Sequence, residues 1–232
     1  MPPSAPQSAP PPALDAAAWS RIDTVMLDLD GTLLDLCYDN HFWNVMVPEE
    51  WARANGVTLE AAQQRLRPVL AERRGTLDWY CIDYWSRAFG LDIPAMKVAD
   101  AHRVRWLPGA PEFLGRVRAL GKRLVLLTNA HPATLAIKDS RVRVTHYFDA
   151  SFSSQVVGAP KEDARFWPAL ALLEPYVPER CLFVDDSLPV LRTAQAAGIG
   201  TLFVVRHPDT TRAPHVHAEF PAIDRVEELL PG

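Results

Sequence analysis

The chain has 232 residues, 48% of them hydrophobic and 22% charged, with a formal net charge of −4. This is enough apolar material for one large domain, or for a core domain carrying a smaller insert, and it excludes the basic excess that an obligatory nucleic-acid partner requires. Cys37, Cys81 and Cys181 are too few and too scattered for a disulfide framework or a zinc site, and no apolar run approaches the ~20 residues that span a bilayer.

Residues 1–17 are low-complexity Pro, Ala and Ser, a composition that cannot bury enough surface to order itself, so a disordered tail is expected. No Lys or Arg precedes Arg21 and prolines interrupt the segment, so it does not read as a secretory signal, and a cytoplasmic location is expected. From Thr24 the pattern changes to short apolar runs: TVMLDLD (24–30), RLVLLT (123–128), YFDASFS (147–153), CLFVD (181–185) and TLFVV (201–205). Such continuous runs fit strands buried on both faces of a parallel sheet. Helical segments fall between them at about 111–120, 132–139, 162–174 and 188–197, with Gly121 and Gly198 as stops. The expected fold is therefore a doubly wound α/β core with a parallel five-stranded sheet, formed by 18–35 and 107–232.

Between the first two strands, residues 36–106 hold no strand run. They carry helical patterns near 40–54, 58–73, 77–89 and 92–104, broken at Asn55-Gly56 and Gly90. One crossover helix would suffice there, so an inserted all-helical cap domain is expected. Its many Trp and Tyr residues suit the core of a small helical domain, with one or two rings free to stack on a flat base.

Open parallel sheets bind ligands beyond the carboxyl ends of their strands. The first run ends in Asp28-Leu29-Asp30-Gly31-Thr32, the second in Thr128-Asn129 and the fourth in Asp185-Asp186-Ser187, while Lys161 follows the third. Taken singly, these are ordinary turns, caps and surface charges. Taken in order, they bring acids, a hydroxyl, an amide and an ammonium to one sheet edge. Lys161 also stands out because the chain has four lysines against twenty arginines. Converging carboxylates repel one another, and a hard divalent cation held by oxygen ligands alone relieves that repulsion, which points to Mg²⁺.

The motifs D-L-D-G-T-L, L-L-T-N, G-A-P-K and F-V-D-D-S resemble the four ordered motifs of the haloacid dehalogenase superfamily. The resemblance implies that Asp28 is the nucleophile and Asp30 the acid and base, with Thr128, Asn129 and Lys161 holding the phosphoryl oxygens. It implies metal ligation by Asp28, the Asp30 carbonyl and Asp186, with Asp185 acting through a bound water. Asp30 argues against the dehalogenase branch, which lacks that acid. The stretches LDLCYDNHFWN, VPEEWARANGVT, TLDWYCIDYW and LLTNAHP are similar to bacterial purine 5′-nucleotidases of the GMP/IMP type. The function implied is hydrolysis of a small-molecule phosphate monoester, with no obligatory protein partner. The alternatives are a phosphosugar phosphatase or phosphomutase, and a regulatory binding protein without catalysis.

Overall fold

Side chains of the central strands alternate between two apolar clusters, so the sheet is sealed on both faces. Val25, Leu27, Leu124, Leu126, Leu182 and Val184 face one cluster. Met26, Val125, Leu127 and Phe183 face the other. The computed structural model describes residues 14–216 and 219–231. Residues 1–13, which hold most of the expected tail, lie outside the described residues.

Six parallel strands are described: β1 (Thr24–Leu27), β2 (Arg123–Thr128), β3 (Ala150–Ser153), β4 (Cys181–Asp185), β5 (Thr201–Val205) and β6 (Ala222–Ile223). Their order is β3-β2-β1-β4-β5-β6, with β1 between β2 and β4. On one face lie the helix Ala110–Ala119 and the turn Val226–Leu229. On the other lie Phe166–Leu173 and Leu188–Ala196. The expected count of five strands is one short, because β6 has only two residues and no apolar run to announce it. The expected tail also ends earlier than residue 17. Asp15 caps a helix over Ala16–Arg21, and Trp19 is buried with its indole N–H on the Leu229 carbonyl at 2.8 Å.

The insertion is helical throughout, from Cys37 to Arg103. Its first helix widens into a π turn over Phe42–Met46 just before Pro48. Proline supplies no N–H and its ring crowds the carbonyl four residues earlier, which accounts for the wider turn. The helix expected over 77–89 is split at Cys81 into Leu77–Tyr80 and Ile82–Phe89. That break lets the Tyr80 hydroxyl reach Glu162 of the core at 2.8 Å. Trp85 is the centre of the insertion's own core, stacked on Phe89 at 5.0 Å and edge-on to Trp43, Trp79 and Tyr84.

The two chain segments joining the insertion to the core hydrogen-bond to each other, Asp35 N–H to the Arg105 carbonyl and Leu107 N–H to that of Leu33. The Asp35 carboxylate also accepts from Arg105, Cys37 N–H and Thr210. This braced joint holds the insertion over the carboxyl ends of the strands. Among the described residues no helix is long and apolar enough to cross a membrane. Trp85→Ala should leave a cavity in the insertion and cost about 3–5 kcal/mol. Urea unfolding checks this, and an unchanged midpoint would show that Trp85 does not organise that core.

Candidate active site

The ends of β1, β2 and β4 converge where the sequence reading places them, and Lys161 joins them from beyond β3. β1 ends at Leu27 rather than at residue 30, but the Asp28 N–H still donates to the Val184 carbonyl at 3.0 Å, so its carboxylate leaves the centre of the sheet. The chain then turns at Gly31, whose φ is +94° and whose N–H returns to the Leu34 carbonyl. A methyl group on Gly31 would meet Asp186 Oδ2 at 2.6 Å and the Pro208 side chain at 2.8 Å. Glycine is required there for both the conformation and the approach of Asp186.

Lys161 is the hub. Its ammonium donates to Asp28 Oδ1 at 2.5 Å, Asp185 Oδ2 at 2.7 Å and the Leu127 carbonyl at 3.1 Å. Its backbone N–H is held by Asn129 Oδ1 at 2.9 Å, while Asn129 Nδ2 donates to Glu162. Thr128, the last residue of β2, accepts the Ala130 N–H on its hydroxyl at 3.0 Å. Asp28 Oδ2 is buried without a hydrogen-bond partner. Asp185 uses its other oxygen to accept the Ser187 N–H at 2.8 Å.

Burial dominates the electrostatics. It pushes the Asp28 carboxyl up to about 6 against the pull of Lys161, with Asp185 adding to the rise. It does the same to Asp30, up to about 6 against Lys138, with Asp39 and Asp28 adding to it. Asp186 is driven well above the carboxylate range by burial and by Asp185 and Asp28. Burial pulls the Lys161 ammonium down, but Asp185 and Asp28 outweigh it and hold it above the usual lysine value.

Oxygens of Asp28, Asp185 and Asp186 lie within 4.8 Å of one another. On the cavity floor these three carboxylates meet one ammonium, that of Lys161. The surplus is two negative charges. An orphaned carboxylate oxygen, oxygen-only donors and that surplus together fit a hard divalent cation.

The cavity above this floor has a volume of about 640 Å³ and opens between core and insertion. Trp43, Trp79 and Tyr80 line it, as do Arg67 and Arg74 of the insertion. Most insertion aromatics thus pack among themselves, as expected, and a few also face the crevice. Asp39, Lys138 and Glu162 were not singled out by sequence. The signal that marks Lys161 would have found Lys138: three of the four lysines (Lys97, Lys138, Lys161) are buried in this floor, while none of the twenty arginines is buried.

Residues 22–198 match the haloacid dehalogenase-like hydrolase family. The chain is 41% identical over 215 residues to the GMP/IMP nucleotidase YrfG of Escherichia coli (strain K12), covering 93% of this chain and 97% of that protein. It is 31% identical over 185 residues to a phosphoglycolate phosphatase of Nitrosospira multiformis, covering 76% and 80%. A HAD phosphatase of solved structure from Thermococcus onnurineus shares the fold, with a TM-score of 0.75 at 21% identity over 90% of this chain and 96% of that one.

Gly31→Ala should destabilise the protein by at least about 1 kcal/mol, because alanine is strained at this φ and displaces Asp186. Thermal unfolding reads it, and an unaltered Tm would contradict the packing described.

Proposed function

The chain belongs to the haloacid dehalogenase-like hydrolases, and from that premise we propose that it is a Mg²⁺-dependent purine 5′-nucleotidase, taking phosphate from GMP or IMP through an aspartyl-phosphate on Asp28. The observation that carries the chemistry is the state of Asp28. Its carboxylate is buried at the sheet edge, fixed by Lys161 through one oxygen and without a partner on the other.

Asp28 attacks phosphorus in line with the ester bond, forming the P–O bond to the enzyme as the bond to the 5′ oxygen breaks. Asp30, two residues on and raised to about 6, donates the proton that the leaving alkoxide needs. It then takes a proton from the water that attacks the phosphorus of the aspartyl-phosphate, returning Asp28 and releasing phosphate. The Thr128 hydroxyl, the Asn129 N–H and Lys161 stabilise the charge on the transferring oxygens. Asp28, Asp186 and the Asp30 carbonyl would hold Mg²⁺, with Asp185 acting through water. Both Asp185 oxygens already accept hydrogen bonds, from Lys161 and Ser187, which favours Asp186 as the direct ligand. When bound, the ion supplies positive charge that lets two anions meet and polarises a phosphoryl oxygen.

The substrate assignment rests on the near-full-length similarity to the GMP/IMP nucleotidase and on the cavity. A volume of about 640 Å³ lies within the usual range for small-molecule sites, and Trp43 and Trp79 in its lining supply aromatic surface that suits a purine better than a polyol.

In a phosphate-release screen the protein should turn over GMP and IMP well ahead of sugar phosphates; activity confined to sugar phosphates would reject the substrate. Asp28→Asn should reduce turnover to background, and Asp30→Asn should lower kcat by roughly 10²–10⁴-fold. EDTA should stop the reaction and Mg²⁺ restore it; activity that persists after exhaustive chelation would reject the metal requirement.

A further inference from the structure

The floor of the cavity holds a second buried cation with no place in the chemistry above. Lys138 projects from the helix Pro132–Val142 of the core, its side chain 1% exposed. Its ammonium donates to Asp30 Oδ1 at 2.5 Å and to Asp39 Oδ2 at 2.6 Å. Asp39 belongs to the insertion, in the helix Cys37–His41, and its other oxygen accepts from Lys97 at 3.0 Å. The Lys97 ammonium sits among the rings of Phe42 (4.2 Å), Tyr38 (4.9 Å) and Trp43 (5.6 Å). Charges therefore alternate from the catalytic loop into the insertion: Asp30, Lys138, Asp39, Lys97.

We propose that Lys138 is a positioning residue that aims the Asp30 carboxylate at the leaving oxygen, and that Asp39 makes this aim depend on the insertion being seated on the core. This rests on the acid role given to Asp30 above. Lys138 grips one oxygen of Asp30 and leaves the other for the substrate. A general acid must be within hydrogen-bond reach of the leaving oxygen, so a carboxylate free to rotate loses most of its effect. A buried ammonium is tolerated only when paired. Lys138 has two carboxylate partners, one from each part of the fold, and Asp39 is shared by two lysines. Lifting the insertion takes Asp39 away and breaks the alternation. The residues that fix Asp30 are then complete only when the cavity is covered.

The test uses the whole chain with Mg²⁺ and compares kcat/KM for two esters. GMP has a poor alkoxide leaving group that needs a proton, whereas p-nitrophenyl phosphate has a good one that does not. Lys138→Met should lower kcat/KM for GMP by roughly 10- to 100-fold, a part of what general acid catalysis contributes, and for p-nitrophenyl phosphate by only a few-fold. Asp39→Asn, which keeps its shape and leaves Lys138 on Asp30, should show the same selectivity to a smaller degree, and it carries the test if Lys138→Met does not fold. Asp30→Asn is the reference. If it is selective for GMP and neither other variant is, Lys138 and Asp39 only hold the fold together and the proposal is overturned. If Asp30→Asn itself shows no selectivity, the acid role fails and takes the positioning role with it. Wild-type inactivity toward GMP instead rejects the substrate reading, and any alkyl phosphate that the enzyme does turn over then replaces GMP in the comparison.

Discussion

Carboxylates crowded onto the floor of one cavity are the constraint on which the rest of the structure depends. Asp28, Asp30, Asp39, Asp185 and Asp186 share one floor, and burial drives most of them toward protonation. Lys161 and Lys138 answer part of that charge from the core and Lys97 from the insertion. Around Lys161 itself three carboxylates meet one ammonium, and that deficit of two positive charges is what a divalent cation supplies. Asp39 is the exception that tests the account. Burial would raise it, but Lys138 and Lys97 outweigh burial and bring its carboxyl down to about 2. Where two cations meet one acid, its carboxyl is held low; where acids outnumber cations, burial wins and their carboxyls are pushed up.

The fold exists around this floor. Placing β1 between β2 and β4 brings three strand ends to one point, and parallel pairing makes all three carboxyl ends face the same way. Gly31 permits the close approach of Asp186. The insertion covers the floor and joins it, through Asp39 and Lys97 on one side and through Tyr80 on Glu162 on the other. It is thus both a lid and a source of charge.

Much of this was legible in the sequence, for identifiable reasons. Strands buried on both faces announce themselves as continuous apolar runs, and β2, β4 and β5 have the predicted bounds. β1 is shorter than predicted because Asp28 to Asp30 already belong to the turn that Gly31 opens. The motifs carried Asp28, Asp30, Thr128, Asn129, Lys161, Asp185 and Asp186 to one edge. Lys138 lies in a helix, where a lysine ordinarily reads as solvated, so the scarcity of lysine was the one hint of it and named no partner. Its burial comes from acids 108 and 99 residues away in the chain, a fact of tertiary structure alone. The same holds for Tyr80, whose partner Glu162 is 82 residues distant.

In the proposed reaction Asp28 is the nucleophile whose carboxylate oxygen takes the phosphoryl group. The most direct measurement of that transfer is an acid quench during turnover of GMP radiolabelled in its phosphate, followed by peptide mapping. The account predicts label bound to the protein as an acid-stable, alkali-labile acyl phosphate on the peptide that contains Asp28. Rapid turnover with no labelled protein at any quench time, or label on another residue, would contradict it.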